Sequence, residues 1–251
     1  MQTNTNKSIK EESIESKIIL RLNEMVDNIF HDSLPLDIVK TMLDDEEIKA
    51  IHDYANTVSI TRLGLNDHGP VHMKTVCYNA LKMLKIMHDS GIQTSLEHES
   101  IGSFSDSVSA VCIAALLHDA GMTIARKEHE MYSGFVSYHI IRDVLAKVLP
   151  NDIRRRIIIQ SLAMEGIMGH MTTYPIHSIE AGLILIADGC DMTKGRARIS
   201  LVIRTKLEYE KVIYAACCSM CICFLRSCFR GYQQCWSHLD RGASCYDRSF
   251  C

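Results

Sequence analysis

The chain has 251 residues, of which 47% are apolar and 23% charged, so wholesale disorder, a collagen-like repeat and a coiled-coil rod are all disfavoured. Its formal net charge of -3 provides no global basic field to grip a nucleic-acid backbone or an anionic membrane, so any anion-binding site has to be local. Four Pro and 13 Gly against 13 Met, with 6% aromatics, read as a helix-rich protein in which Met fills gaps.

Met1 to Ser13 is polar and reads as a frayed leader without the apolar stretch of a signal peptide, which points to a reducing, cytoplasmic setting. Ile14, Ile18, Leu22, Met25 and Ile29 recur at helical spacing until Pro35 interrupts. From Leu36 to about Tyr54 a second helical pattern contains an acidic stretch, Asp44 to Glu47, that is a solvated face or a break. Residues 1–54 are accordingly a leader with scaffold helices. Pro70 opens the next helix, whose stripe of Val71, Thr75, Val76, Ala80, Leu84 and Met87 lasts until Gly91. Gln93 to Ser105 reads as a loop, and Ser105 or Asp106 as the cap of a helix ending in His118-Asp119-Ala120-Gly121. A helix over about Glu128 to Leu149 stops at Pro150, Asn151 or Asp152 caps another, and Ser178 caps a helix from Ile179 to about Cys190 that closes at Gly195. No convincing strand pattern appears, so the fold class is all-α. No uncharged apolar run reaches the ~18 residues of a membrane span.

Polar groups on the face of a helix that periodicity assigns to the core mark chemistry. His72 precedes Val76 and Ala80 on one stripe, His118 and Asp119 follow Val111 and Ala115, and Asp188 follows Ile184. Four imidazole and carboxylate groups thus point inward from three helices. Unpaired buried carboxylates are costly, and a divalent ion offsets that cost; this donor mix suits Mn, Fe, Co, Ni, Zn or Mg. The alternative is that each histidine is a hydrogen-bonded core residue.

The segments Asn66-Asp67-His68-Gly69-Pro70-Val71-His72, Ala115-Leu116-Leu117-His118-Asp119-Ala120-Gly121 and Ile186-Ala187-Asp188, in that order, resemble the ligand segments of the HD-domain superfamily of metal-dependent phosphohydrolases. The likeness covers about residues 55–200. It implies an HD-type helical bundle that hydrolyses a phosphate ester or nucleotide by a metal-bound hydroxide, with metal ligands His72, His118, Asp119 and Asp188 and one or two ions per chain. Family members with two ions resemble this chain in carrying extra histidines before the last Asp, which makes His129, His170 and His177 second-ion candidates, His139 a weaker one, and Asp119 the bridging carboxylate. His68 is a loop residue or a partner that orients His72. Of the two aspartates after the same apolar run, Asp188 continues the face of Ile184 and matches the family's closing ligand. Asp191 is then read as a catalytic positioner of a phosphate-binding arm. Arg126 and Lys127, and Lys194, Arg196 and Arg198, are the basic groups flanking the carboxylates and the candidates for holding phosphate.

From about residue 201 to 251 the composition shifts to eight cysteines. Cys218, Cys221, Cys235 and His238 have zinc-knuckle spacing, and the competing reading is an apolar helix, Val212 to Leu225, with a poorly ordered end. The expected partner is a phosphorylated small molecule or nucleotide, with neither membrane nor nucleic acid; a homo-oligomer is an open alternative. A catalytically weak binding or regulatory module that keeps the metal site is the competing function.

Overall fold

The computed structural model describes residues 9–192, and the chain divides into two units, Met1–Arg198 and Ile199–Cys251. The expectations for the Cys-rich tail, including its zinc-knuckle set, and for Lys194, Arg196 and Arg198 lie outside the described residues. Those residues form nine α-helices: α1 (Ile9–Met25), α2 (Leu34–Asp44), α3 (Glu46–Asn56), α4 (Pro70–Asp89), α5 (Ser95–His98), α6 (Phe104–Leu117), α7 (His129–Val148), α8 (Ile153–Gly169) and α9 (Ile179–Gly189). π-Helical turns extend α1 and α3, and a 3-10 turn, Ala120–Thr123, links α6 to α7. No strand occurs among the described residues, in agreement with the all-α expectation, and no described helix is long and apolar enough to cross a membrane.

Every residue of α6 is buried, as expected of a helix wrapped on all sides. Helices α2, α4, α8 and α9 surround it. Small residues let these neighbours approach, and its serines carry their own partners inside: Ser107 Oγ donates to Glu180 Oε1 at 2.7 Å, Ser105 Oγ to Asp32 Oδ2 at 2.8 Å and Ser109 Oγ to the Ser105 carbonyl at 2.8 Å. Large core side chains converge from the rest of the bundle, among them Ile18 and Leu22 of α1, Ile38 and Met42 of α2, and Leu81 and Leu84 of α4.

Two ion clusters hold the periphery. Lys74 of α4, itself buried, is ion-paired to both Glu11 and Glu15 of α1. Removing one side of such a cluster strands a buried charge and costs ~3–5 kcal/mol. Arg155 at the start of α8 pairs with Asp106 and, at 2.6 Å, with Asp32. The scaffold helices of residues 1–54 are therefore bonded into the same bundle as the ligand-bearing helices.

Local chemistry explains where the sequence expectations needed correction. The acidic stretch is a break: Asp45 accepts from the N–H groups of Glu47 and Ile48, starting α3. The segment read as a loop from Gln93 holds α5, because Thr94 and Glu97 form a capping box. The cap of α6 is Ser103, not Ser105 or Asp106; Asp106 is the reciprocal member of that box.

The buried C-terminus of α6 leaves carbonyls that water cannot reach. Buried His52 of α3 donates from Nε2 to the Leu116 carbonyl at 2.7 Å. Burial pushes this imidazole down to about 4, against a backbone hydrogen bond that raises it. Since the unfolded chain takes up the proton from about pH 6.5 downward and the folded chain only near 4, stability falls as pH drops through that window and levels off below it. In metal-free protein, the loss between pH 7 and pH 5 should be about 2 kcal/mol smaller for His52→Gln than for the unaltered chain, read from urea midpoints. Equal losses would show that His52 does not carry this acid sensitivity.

Candidate metal centre

The wrapped helix α6 ends by delivering His118 and Asp119 to the centre of the bundle, both essentially inaccessible. Helix α4, begun by Pro70 at its first turn, brings His72; α9 brings Asp188; the first residue of α7 is His129; and His170 caps α8. His72, His118, Asp119 and Asp188 were all expected to point inward, and the structure brings them together with His129 and His170.

The donors form three overlapping triads, His72–His118–Asp119, Asp119–His129–His170 and His118–His170–Asp188, and the first two share Asp119, presenting its two oxygens to separate pairs of imidazoles. Around its Oδ2 stand His72 Nε2 at 3.3 Å and His118 Nε2 at 3.4 Å; the two nitrogens are 3.2 Å apart, and Asp188 Oδ1 lies 3.2 Å from the first and 3.8 Å from the second. Around its Oδ1 stand His129 Nε2 at 3.1 Å and His170 Nε2 at 3.6 Å, themselves 3.1 Å apart. Donors bound at about 2.1 Å to one ion are separated by roughly 3.0 Å at octahedral right angles and roughly 3.4 Å in a tetrahedron. Most of these separations, 3.1 to 3.4 Å, match that spacing, while His170 to Asp119 at 3.6 Å and His118 to Asp188 at 3.8 Å are longer.

The outer nitrogen of each histidine fixes its tautomer. Nδ1–H of His118 donates to the Ala115 carbonyl at 2.9 Å, that of His170 to Ile167 at 2.7 Å, that of His129 to Arg126 at 3.1 Å, and that of His72 to Asp191 Oδ2 at 2.7 Å. Four Nε2 lone pairs consequently face inward. At 3.1–3.2 Å two such lone pairs repel unless a proton or a cation lies between them. Asp119 Oδ2 is in addition a buried carboxylate oxygen with no hydrogen bond. The residues therefore fit a divalent cation on chemistry as well as spacing.

The electrostatics agree. Burial pushes the Asp119 carboxyl up, yet the surrounding imidazoles, His118 foremost, hold it well below the usual range. Asp188 behaves likewise: burial pushes its carboxyl up, and the neighbouring His72 and His118 imidazoles hold it below the usual range. Burial lowers the His118 imidazole. His170 goes the other way: its burial is outweighed by the Asp119 carboxylate, which raises it.

Other expectations change. Asp191 is buried and orients His72, the task His68 was a candidate for; the basic arm it was expected to position lies outside the described residues. His68 instead donates from Nδ1 to the Asn66 carbonyl at 2.7 Å and places Nε2 3.9 Å from Asp119 Oδ2. His177 is exposed and stands outside the cluster, its backbone N–H bonded to Glu165. His139 is half-exposed against Glu47. Lys127 is 91% exposed beside Glu128, whereas Arg126 brings Nη1 to 3.4 Å from His129 Nε2. Sequence reasoning missed Glu130, a carboxylate 3% exposed with Oε2 3.3 Å from His129 Nδ1, because an acid in the first turn of a helix carries no periodic signal. Burial raises its carboxyl, but a hydrogen bond with Thr173 and the nearby histidines lower it overall.

No family profile and no solved structure matches the chain. It is 35% identical over 173 residues to an uncharacterized protein of Methanocaldococcus jannaschii, a stretch that is 67% of this chain and 64% of that protein.

Gly121 explains the small residue after the dipeptide. A Cβ there would lie 2.1 Å from the His129 carbonyl and 2.4 Å from the Ser133 N–H, both backbone atoms, and Gly121 N–H donates to Ser133 Oγ at 2.7 Å. Glycine is needed here for space, since its φ is not positive. Where alanine fits, replacing glycine stabilises by ~0.4–1 kcal/mol; overpacking costs ~1–3 kcal/mol or more. Gly121→Ala should therefore lower the melting temperature, at roughly 2–4 °C per kcal/mol for a chain of this size. A raised melting temperature would show that α7 moves away without cost.

Proposed function

We propose that the chain is a metal-dependent hydrolase of a phosphate ester or nucleotide, built on an HD-type helical bundle and holding two divalent cations. The observation that carries this reading is that the two carboxylate oxygens of Asp119 face two separate donor sets, 3.1 to 3.6 Å from the nearest imidazole nitrogens on each side. Four imidazoles among the donors favour Mn, Fe, Co, Ni or Zn over Mg, which prefers oxygen ligands and retained water. Cations bound there would lower the pKa of a water nucleophile and neutralise charge developing on phosphoryl oxygens.

The chain's own residues supply the rest. Asp119 sets the spacing of the two sets and remains ionised to do so. Asp191 holds His72 in the tautomer that turns Nε2 inward. Arg126 brings a guanidinium to the His129 side of the centre, where it can meet a phosphoryl oxygen with a charge-assisted hydrogen bond. His68 places an imidazole nitrogen beside Asp119 without belonging to either donor set, a position from which Nε2 can hold or deliver a proton.

Metal-free protein reconstituted with Mn, Co, Fe or Zn should release phosphate or nucleoside from a panel of phosphate monoesters, cyclic nucleotides and nucleoside triphosphates, above a chelated control. Metal content measured directly should fall below about one-tenth per site in Asp119→Ala, which removes a donor from both sets, and affinity for the first ion should fall about 10–100-fold in Asp191→Asn. Full metal content in Asp119→Ala would overturn the centre, and turnover of nothing in the panel would favour a binding module.

A further inference from the structure

We infer that Glu130 is a positioning residue for the second cation alone, holding His129 and the segment after His170 together as one unit; this rests on the two-cation reading above. Glu130 is 3% exposed, a burial that an unpaired carboxylate would not tolerate. It belongs to neither donor set. Its Oε2 lies 3.3 Å from the outer nitrogen of His129, which it shares with the Arg126 carbonyl, and its carboxylate is hydrogen-bonded by Thr173, three residues beyond His170. One carboxylate thus touches the back of one second-set imidazole and the chain just past the other.

The backbone shows why such a clasp is needed. Glu128, immediately before His129, has φ 59°, and Thr172, two residues after His170, has φ 60°. Left-handed backbone is strained for a non-glycine residue, and more so for a β-branched one such as threonine. The other non-glycine residues in this region of φ among those described are His31 and Ser100, in loops that carry no donor of either set. Strain is thus concentrated on the two segments that present His129 and His170. In the first set no donor adjoins a left-handed residue, and His72 has its own carboxylate in Asp191 at 2.7 Å.

A purely structural role is the competing account, since an acid in the first turn of α7 also interacts favourably with the helix dipole. The two accounts separate on metal binding. Metal-free protein would be titrated with Mn(II) and followed by electron paramagnetic resonance, in which a second ion beside the first produces an exchange-coupled signal. The unaltered chain should take up two ions. Glu130→Gln should bind the first with unchanged affinity and the second about 10–100-fold more weakly, delaying the coupled signal to higher Mn(II), and Glu130→Asp should recover part of the loss. Unchanged first-ion affinity also shows that the variant is folded. Equal weakening of both ions, or a coupled signal at the same Mn(II) concentration as the unaltered chain, would overturn the role given to Glu130. Uptake of a single ion by the unaltered chain would instead overturn the two-cation reading itself.

Discussion

Imidazole nitrogens that face one another at 3.1 to 3.2 Å in a buried site, each with its only proton committed to an outer acceptor, set the terms for the rest of this structure. Such nitrogens do not attract. They are brought together because the helices carrying them are pinned elsewhere, and they remain together only if a positive charge is shared between them. Two ionised carboxylates supply the complementary negative charge, in surroundings where a few ångströms of low-dielectric packing make every uncompensated charge expensive. The bundle can be understood as a frame that holds donors close enough to bind a cation and too close to be content without one.

The frame begins with α6. Because every residue of that helix is buried, its C-terminus cannot be hydrated, and the carbonyls there have to be answered by protein. His52 answers Leu116 and His118 answers Ala115, so the groups that close the helix also fix the orientation of the first donor set. The contact at Gly121, where backbone of α7 comes within 2.4 Å of a would-be Cβ, then places His129 against the other oxygen of Asp119. Helix termination, interhelical approach and donor geometry are the same few atoms.

Much of this was legible in the residues themselves. His72, His118, Asp119 and Asp188 lie on apolar stripes of period 3.6, and periodicity is the signal that reports which way a helical side chain points. Helix starts at Pro70, Asp152 and Ser178 were readable for the same reason, since their capping chemistry is local. What was illegible depends on separations that only the fold creates. Asp191 lies 119 positions from the imidazole it orients, and Glu130 meets Thr173 across a helix pair. Periodicity could not divide roles between Asp188 and Asp191, because on a continuous helix residues three apart share a face; α9 ends at Gly189, between them, and Asp188 meets the inner nitrogen of His72 while Asp191 meets the outer.

The two halves of the centre differ in how they are held, and the difference follows from their place in the chain. The first set is carried by α4, the end of α6 and the end of α9, and within it His72 is oriented by the Asp191 carboxylate. The second is carried by the first residue of α7 and the cap of α8, with left-handed residues alongside both. The Asp119 carboxylate raises the His170 imidazole against its burial, whereas burial lowers the His118 imidazole. Both halves nevertheless meet at one residue, since the two oxygens of Asp119 face them separately, and any change in how one half is held reaches the other through that carboxylate.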